Sequence, residues 1–315
     1  MEILQNQKYS HVRGFNYFPG YAGHGLETWY YLFDPVAIER EISAAKHHFP
    51  GMNTLRIWLS HDAFLRDKKK VVENFSTVLG ICRKYGIKVI PTLFNACHSV
   101  PDFGSISNEQ INHFGDTHFK DLYPEFLDAF VGGNLGNEDI LMWDLCNEPF
   151  NNTGLTDAKL KWLFNLHDYC KSLANDVIIC VGINNLKYLE PVDPISDVIT
   201  FHPYLVPPWN QAQKDQHIAM VDEFVRFSNL KGKALIATEC CWGAFDDAKH
   251  VEIIRLDLGI LHPRKIGFTP AHMCHSLALD QHRPDCGPVL GAEYMAFVER
   301  DGSLRPNHEV FNEFC

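Results

Sequence analysis

Two glutamates that each close an apolar run are the strongest chemical signal in this sequence. Glu148 ends the run LMWDLCNE, which starts at Leu141, and Glu239 ends the run ALIATE, which starts at Ala234. A glutamate taken at random is most often a surface carboxylate, but two that follow buried strands place charge where a sheet opens. Two carboxylates that meet one substrate can divide acid and base roles when their environments give them different protonation states.

Other polar residues follow further apolar runs and could contact a substrate beside the two glutamates. Each has a plainer interpretation. The arginine among them could form a structural ion pair, the histidines could be core or loop residues, and the tyrosine and tryptophan could be ordinary packing. The candidate substrate contacts are Arg56, His98, Asn147, His202, Tyr204 and Trp242.

Short apolar runs alternate with amphipathic stretches along the chain, which is typical of parallel α/β folds. Several runs are apolar nearly throughout, as expected where both faces of a sheet are buried. The runs predict strands at 12–17, 53–59, 87–94, 139–146, 176–181, 197–201, 233–239 and 264–269. Helices are predicted at 36–48, 67–85, 118–131, 156–174, 211–228 and 246–260, with a last one at 291–299.

This alternation predicts an α/β fold, a single-domain (β/α)8 TIM barrel over residues 1–315. Such barrels take about 250 residues and carry their active sites at the carboxyl ends of the strands. An open doubly wound sheet is the alternative, but no G-x-G-x-x-G motif follows an early strand. Strands four and seven lie on facing sides of an eight-stranded ring, so a substrate in the mouth could meet Glu148 and Glu239 together.

Composition narrows the partners and the compartment. The formal net charge of −11 argues against nucleic acid, which binds basic surfaces. No apolar run is long enough for a membrane span, and the N-terminus lacks the pattern of a signal peptide. The ten cysteines include no C-x-x-C pair, which favours free buried thiols. We therefore predict a cytoplasmic protein, and a secreted protein given without its leader would show the same pattern. The sequence does not indicate an oligomeric state.

Five segments give the chain a resemblance to retaining glycoside hydrolases of clan A, and to glycoside hydrolase family 5 in particular. The resemblance covers nearly the whole chain. It implies an enzyme that hydrolyses O-glycosidic bonds of β-linked oligo- or polysaccharides through a covalent glycosyl-enzyme intermediate. Its substrate would be a carbohydrate, with no cofactor and no metal. The segments are RGFNY at 13–17, NTLRIW at 53–58, WDLCNEP at 143–149, HPY at 202–204 and ATE at 237–239.

The resemblance also implies a role for each glutamate. Glu148 corresponds to the acid/base and Glu239 to the nucleophile. Arg56 and the Tyr204 hydroxyl are expected to keep Glu239 ionised, because a nearby cation and a hydrogen-bond donor favour the charged form. Retaining enzymes hold their two carboxyl groups about 5–5.5 Å apart, and we expect that separation here.

Four more residues complete the predicted sugar site. By the same resemblance, Asn147 and His202 match positions that line the subsite next to the scissile bond. Asn147 can donate to the sugar 2-hydroxyl, and His202 can hold Glu148 in orientation. His98 is expected to contact a sugar hydroxyl, and Trp242 to stack on a sugar face.

One departure from the family leaves the sugar open. Family 5 enzymes usually carry a tryptophan at the end of the eighth strand, whereas this chain reads KIGFTPAHMCHS at 265–276. Phe268 is the nearest aromatic residue, and His272, His275 or Trp242 could take the space. β-Mannosides, β-glucosides, β-galactosides and xylan all remain candidate substrates. Long loops at 95–117 and 202–215 favour exo action, because they could wall one end of the cleft.

Two other functions remain open. A metal-dependent hydrolase on the same barrel would leave the two glutamates unexplained, and the first strand lacks the His-x-His motif usual in such enzymes. A non-catalytic carbohydrate-binding barrel is the third alternative, and the presence of both glutamates argues against it. The metal ligands would come from His61, Asp62, His98, His202, His272 and His275.

Overall fold

Eight parallel strands form the centre of the molecule. The structure is a computed structural model that describes residues 1–96, 108–151, 154–277 and 294–315. The strands pair in sequence order, and a parallel bridge from Arg13 to Phe268 returns the last strand to the first. The predicted barrel is therefore confirmed. The strands are β1 (Gly14–Tyr17), β2 (Thr54–Trp58), β3 (Lys88–Asn95), β4 (Trp143–Asn147), β5 (Ile179–Ile183), β6 (Val198–Phe201), β7 (Ala234–Ala237) and β8 (Gly267–Phe268).

Helices connect the strands. Within the described ranges, no helix is long and apolar enough to cross a membrane. The predicted helix at 118–131 is in fact two helices, because Leu122 leaves helical geometry just before Pro124. The helices are α1 (Pro35–His48), α2 (His61–Arg66), α3 (Lys68–Lys84), α4 (Asn108–Asp121), α5 (Tyr123–Phe130), α6 (Asp157–Leu173), α7 (Leu189–Val192), α8 (Gln211–Lys231) and α9 (Asp247–Leu261).

Side-chain caps set the helix boundaries. The Asp34 carboxylate accepts two backbone N–H groups of the first turn of α1, and Pro35 occupies the first helical position, where its missing N–H costs nothing. Asn210 and Gln213 form a reciprocal capping box at the start of α8. The same helix stops at Gly232, whose φ of 67° is a left-handed conformation that glycine adopts readily.

The predicted helix at 291–299 is wrong in its described part. Residues 291–293 lie outside the described residues, and 294–299 are not helical. Instead, Val298 bridges to Cys274 in parallel and to Leu304 in antiparallel orientation. Residues 294–299 form backbone hydrogen bonds with the chain that follows β8. Their apolar side chains therefore pack as in an added strand. A 3-10 helix, His308–Phe314, follows it.

The inside of the barrel is apolar at the amino ends of the strands and polar towards their carboxyl ends. An apolar cluster, here called the plug, fills the amino-terminal part of the barrel. Above it, Asn16 and Arg56 pair in direct register on neighbouring strands, and Asp144 pairs with Thr92. The polar layer therefore lies directly below the mouth. The plug consists of Tyr9, Val12, Ile90, Met142, Cys180, Val198, Ala234 and Ile236.

Candidate active site

Glu148 and Glu239 meet at the mouth of the barrel. Glu148 directly follows β4 with a left-handed φ of 45°, and its N–H donates to the Gly182 carbonyl at 3.0 Å. Glu239 lies two residues past the end of β7. One oxygen of each carboxylate and one His202 nitrogen all lie within 4.8 Å of one another. The two carboxylates are thus close enough to act on one substrate bond.

His202 lies between the two carboxylates. Its Nδ1 is 2.7 Å from Glu148 Oε1 and 3.6 Å from Glu239 Oε2. Its Nε2 is 3.2 Å from the Thr238 hydroxyl, and the imidazole is fully buried. Asn151 Nδ2 donates to the other Glu148 oxygen at 2.8 Å. These contacts fix the orientation of the Glu148 carboxylate.

Glu239 receives a hydrogen bond on each oxygen. Arg56 Nη1 donates to Oε1 at 2.6 Å, and the Tyr204 hydroxyl donates to Oε2 at 3.0 Å. Burial, followed by the charges of Glu239 and Glu148, raises the pKa of Tyr204 well above its usual value. The hydroxyl therefore remains a donor across the working pH range. A cation and a neutral donor thus fix the orientation of the Glu239 carboxylate.

Arg56 is the hub of the polar layer, and its side chain is completely buried. Two of its nitrogens donate to Asp144 Oδ2, at 3.1 and 2.6 Å. Nη2, one of these two, also donates to Asn147 Oδ1 at 2.8 Å, and Nη1 donates to Asn16 Oδ1 at 3.0 Å. Burial would lower the pKa of Arg56, but the charges of Asp144 and Glu239 outweigh it and raise the pKa above its usual value. The guanidinium is a fixed cation shared by two carboxylates.

Asn16 and Asp144 were not among the predicted site residues. Both occur in segments that carry the family resemblance, but both lie in the interior of strands, where Arg56 was the only residue predicted to belong to the site. The signal that could have found them is a polar residue inside an otherwise apolar, buried strand. Such a residue must find a partner inside the barrel, because an unpaired buried polar group is costly.

Gly182 allows this network to pack closely. A Cβ at this position would lie 3.0 Å from His202 Nε2 and 3.4 Å from an Arg56 nitrogen. The Gly182 N–H also donates to Asp144 Oδ1 at 3.1 Å. A side chain here would push apart the groups that hold both glutamates.

The remaining predicted contacts lie near the site or beyond the described residues. Trp242 comes three residues after Glu239, and its half-buried ring packs edge-on against Tyr204 with centroids 5.3 Å apart. His98 lies outside the described residues. The structure thus gathers Arg56, Asn147, His202 and Tyr204 around the glutamates, with Trp242 beside them.

His272 takes part in an aromatic wall beside the site. Its ring lies 5.7 Å from Phe18 and 6.1 Å from Trp58, and Trp58 covers the Arg56 guanidinium at 4.4 Å. Burial lowers the pKa of His272 to about 4, while the Glu239 charge acts in the opposite direction. A neutral imidazole and two aromatic rings therefore form this wall.

A (β/α)8 barrel whose fourth and seventh strands end in two facing carboxylates is the architecture of a glycoside-hydrolase catalytic domain. The comparison with protein families gives the same class. The model of "Cellulase (glycosyl hydrolase family 5)" matches residues 11–257, and the chain belongs to that family.

Relatives by sequence are fungal mannanases, and the chain spans about a third of their length. It is 24% identical over 120 residues to the probable mannan endo-1,4-beta-mannosidase A of Aspergillus clavatus, covering 35% of this chain and 32% of that protein. It is 30% identical over 105 residues to mannan endo-1,4-beta-mannosidase A of Podospora anserina, covering 31% and 27%. Among solved structures, GH5_18 from Streptomyces cattleya in complex with GlcNAc superposes with a TM-score of 0.72 at 14% identity, over 95% of this chain and 78% of that chain. The structural match supports the fold.

Proposed function

We propose that the protein is a retaining β-glycosidase that hydrolyses β-linked oligo- or polysaccharides by double displacement. The observation that carries the proposal is the spacing of Glu148 and Glu239. One oxygen of each carboxylate and one His202 nitrogen lie within 4.8 Å of one another. Retaining enzymes place their carboxyl groups about 5–5.5 Å apart, whereas inverting enzymes leave about 6.5–9.5 Å for a water molecule. The spacing supports direct attack by a carboxylate.

In the first step, Glu239 attacks the anomeric carbon and Glu148 gives its proton to the leaving oxygen. The bond between the sugar and the leaving group breaks as the bond from the Glu239 oxygen forms. Arg56 and Tyr204 hold the attacking carboxylate in its orientation, so little reorganisation is needed. His202 and Asn151 orient the acid.

In the second step, Glu148 takes a proton from water, which attacks the same carbon and releases Glu239. Two inversions give net retention. Asn147 Oδ1 accepts from Arg56 and its Nδ2 donates to Asn95 at 3.0 Å. We propose that the second proton of that amide donates to the sugar 2-hydroxyl, a contact that strengthens in the transition state.

β-Mannosides are the first substrates to test, because both curated relatives are named as mannan endo-1,4-beta-mannosidases. We assign catalysis to one domain, residues 1–315, since the largest buried core cluster of the described residues includes side chains from Leu4 to Phe311. Trp242 is proposed to stack on a sugar face beside the subsite. We also propose exo action. Of the two loops predicted to favour it, the first was drawn too long, because residues 108–117 belong to α4, and so was the second, because residues 211–215 belong to α8; residues 97–107 lie outside the described residues.

The test is a panel of nitrophenyl β-glycosides and of mannan and glucan oligosaccharides, with the first product followed by NMR. We expect turnover with retention at the anomeric carbon, and a loss of turnover in Glu239→Ala. Glu73→Ala, which removes an exposed carboxylate on α3, is the matched control and should behave as wild type. Inversion, or no turnover of any β-glycoside, would contradict the proposal.

The same panel separates exo from endo action. With a mannopentaose substrate, an exo enzyme releases one small product from a chain end and a complementary long one. An endo enzyme yields intermediate lengths from the first turnover onwards.

The metal-dependent alternative is less well supported. Among the described residues, the group that could share an ion is Glu148, His202 and Glu239. His61 and His272, which that alternative needs, are not part of it. The His202 Nδ1 in this group already contacts Glu148 at 2.7 Å. Activity that survives chelator treatment, with no metal found in the purified protein, would exclude this alternative.

A further inference from the structure

A buried carboxylate on an outer helix reaches the loop that carries Glu239. Asp257 lies on α9 and is 1% exposed. Its Oδ2 accepts the backbone N–H of Cys241 at 2.8 Å. Cys241 comes two residues after Glu239 and has a φ of 64°. Residues other than glycine rarely adopt that left-handed conformation unless their surroundings hold them there.

The remaining surroundings of Asp257 are sparse in polar groups. Its Oδ1 makes no hydrogen bond within the described part of the chain, and the His217 imidazole on α8 lies beside it, with Nε2 at 3.8 Å. Burial raises the pKa of Asp257 to about 7 and lowers that of His217 to about 4. The Cys240 and Cys241 thiols face Asp257 from the loop, and burial raises their pKa values too. A buried carboxylate with one oxygen lacking a hydrogen bond is destabilising. We therefore look for a function that would explain Asp257 at this position.

Several hydrogen bonds hold the backbone around Glu239. Asp257 accepts the one that follows Cys240 in the chain. Thr238 N–H donates to the β6 end at 3.1 Å, and the Cys240 carbonyl accepts Ala271 N–H at 3.1 Å. These contacts anchor the loop to neighbouring strands. The Asp257 contact anchors it to the helix layer, at the residue whose backbone turns sharply.

We propose that Asp257 is a positioning residue for Glu239, acting through the Cys241 amide. It fixes the left-handed turn after the nucleophile, and thereby the direction in which the Glu239 carboxylate enters the mouth. This inference rests on the proposed function for its effect on rate, but not for its effect on geometry. A misplacement of about 1 Å can cost about 100-fold in rate.

Two variants separate the hydrogen bond from the charge. Asp257→Ala removes the acceptor, and Asp257→Asn keeps an acceptor oxygen while its amide can donate to neutral His217. The substrate is a 2,4-dinitrophenyl β-glycoside that the wild type cleaves, because its good leaving group needs little acid help and kcat/KM then reports the attack by Glu239. We expect Asp257→Ala to lower kcat/KM about 100-fold, and Asp257→Asn to return to within about 3-fold of wild type.

The control is Asp222→Ala, which removes the carboxylate that accepts from Arg264 and from the Glu2 N–H. It should lower Tm and leave kcat/KM unchanged. Should Asp257→Ala not fold, Asp257→Glu displaces the carboxylate by one methylene and should be at least about 10-fold slower than Asp257→Asn. Wild-type rates in Asp257→Ala or Asp257→Glu, or an Asp257→Asn as slow as Asp257→Ala, would overturn the proposal.

A second readout does not depend on activity. In a crystal structure of Asp257→Ala, we expect Cys241 to leave the left-handed region and the Glu239 carboxylate to move. An unmoved Glu239 would overturn the positioning role. Absence of glycosidase activity in the wild type would instead count against the proposed function, and the structural readout would still judge Asp257.

Discussion

Arg56 contributes both to the stability of the barrel and to the proposed active site. Its guanidinium is completely buried between Asp144 and Glu239, and only one of these carboxylates faces the mouth. Asp144 supplies the structural counter-charge, which allows the arginine to remain in the barrel when substrate covers Glu239. The planar, five-donor geometry of arginine suits this arrangement, and lysine could not reproduce it.

We predict that Asp144→Ala lowers the free energy of unfolding by about 3–5 kcal/mol, because it leaves a buried guanidinium without its main partner. Urea denaturation measures the change. Asp144→Asn keeps an acceptor oxygen and is the matched control, with a smaller expected loss. If Asp144→Ala were as stable as wild type, Asp144 would not be the structural partner of Arg56.

Sequence reasoning found the site residues at the strand ends, together with Arg56. It missed Asn16 and Asp144, which lie deeper in the barrel. Glu148, Glu239 and His202 follow apolar runs, so a barrel assignment alone brings them to one mouth. Asn16 and Asp144 lie inside strands, and their importance depends on inter-strand register, which a single sequence does not specify. The roles assigned to the predicted site residues stay predictions until the variants are measured.

The strands were easier to predict than the connections. All eight predicted strands are present, although β8 is only two residues long where six were expected. The short α2, capped by Ser60, was missed because one and a half turns show no clear periodicity. The segment at 294–299 has a helical apolar pattern but bonds to the chain after β8, which is a tertiary preference that overrides local propensity.

That C-terminal segment is held by Arg305, which joins it to the loop after β7. Arg305 donates to the Ala244 and Ala296 carbonyls, both at 2.7 Å. It also donates to Asp247 Oδ1 at 2.9 Å, and it is 1% exposed. The loop that follows Trp242 is therefore tied to the last residues of the chain.

We predict that Arg305→Ala lowers the free energy of unfolding by about 3 kcal/mol, because several buried acceptors lose a charged donor at once. Arg300→Ala is the control, since Arg300 is exposed, and it should change stability by less than about 0.5 kcal/mol. Chemical denaturation compares the two variants. Equal stabilities would contradict the anchoring role of Arg305.

The molecule as a whole combines a net charge of −11 with a set of buried neutral histidines. Burial lowers the pKa values of His61, His217 and His272 to about 4, so each must take up a proton when the chain unfolds between about pH 4 and 6.5. Stability contributed in this way is present above pH 6.5 and lost as the pH falls towards 4. Asp257, with its pKa raised to about 7, acts in the opposite direction, because it releases a proton on unfolding in the same window.

Burial also lowers the pKa of His250 well below its usual value, so several buried histidines take up protons on unfolding against the one proton that Asp257 releases. We therefore predict that the free energy of unfolding falls as the pH is lowered from 6 to 5. His61→Gln, which cannot titrate, should reduce that slope by about 1.4 kcal/mol per pH unit. Urea denaturation at half-unit pH steps measures both slopes. A pH-independent stability in this window would contradict the assignment of neutral buried histidines.

The most direct test of the account is to trap the nucleophile. A 2,4-dinitrophenyl 2-deoxy-2-fluoro-β-glycoside, with the sugar chosen from those that the enzyme cleaves, forms the first covalent bond quickly and releases it slowly. We predict loss of activity with one equivalent of sugar bound, and peptide mass spectrometry should place that sugar on Glu239. A label on another residue, or continued turnover with inversion and no label, would contradict the central claim that Glu239 attacks the anomeric carbon.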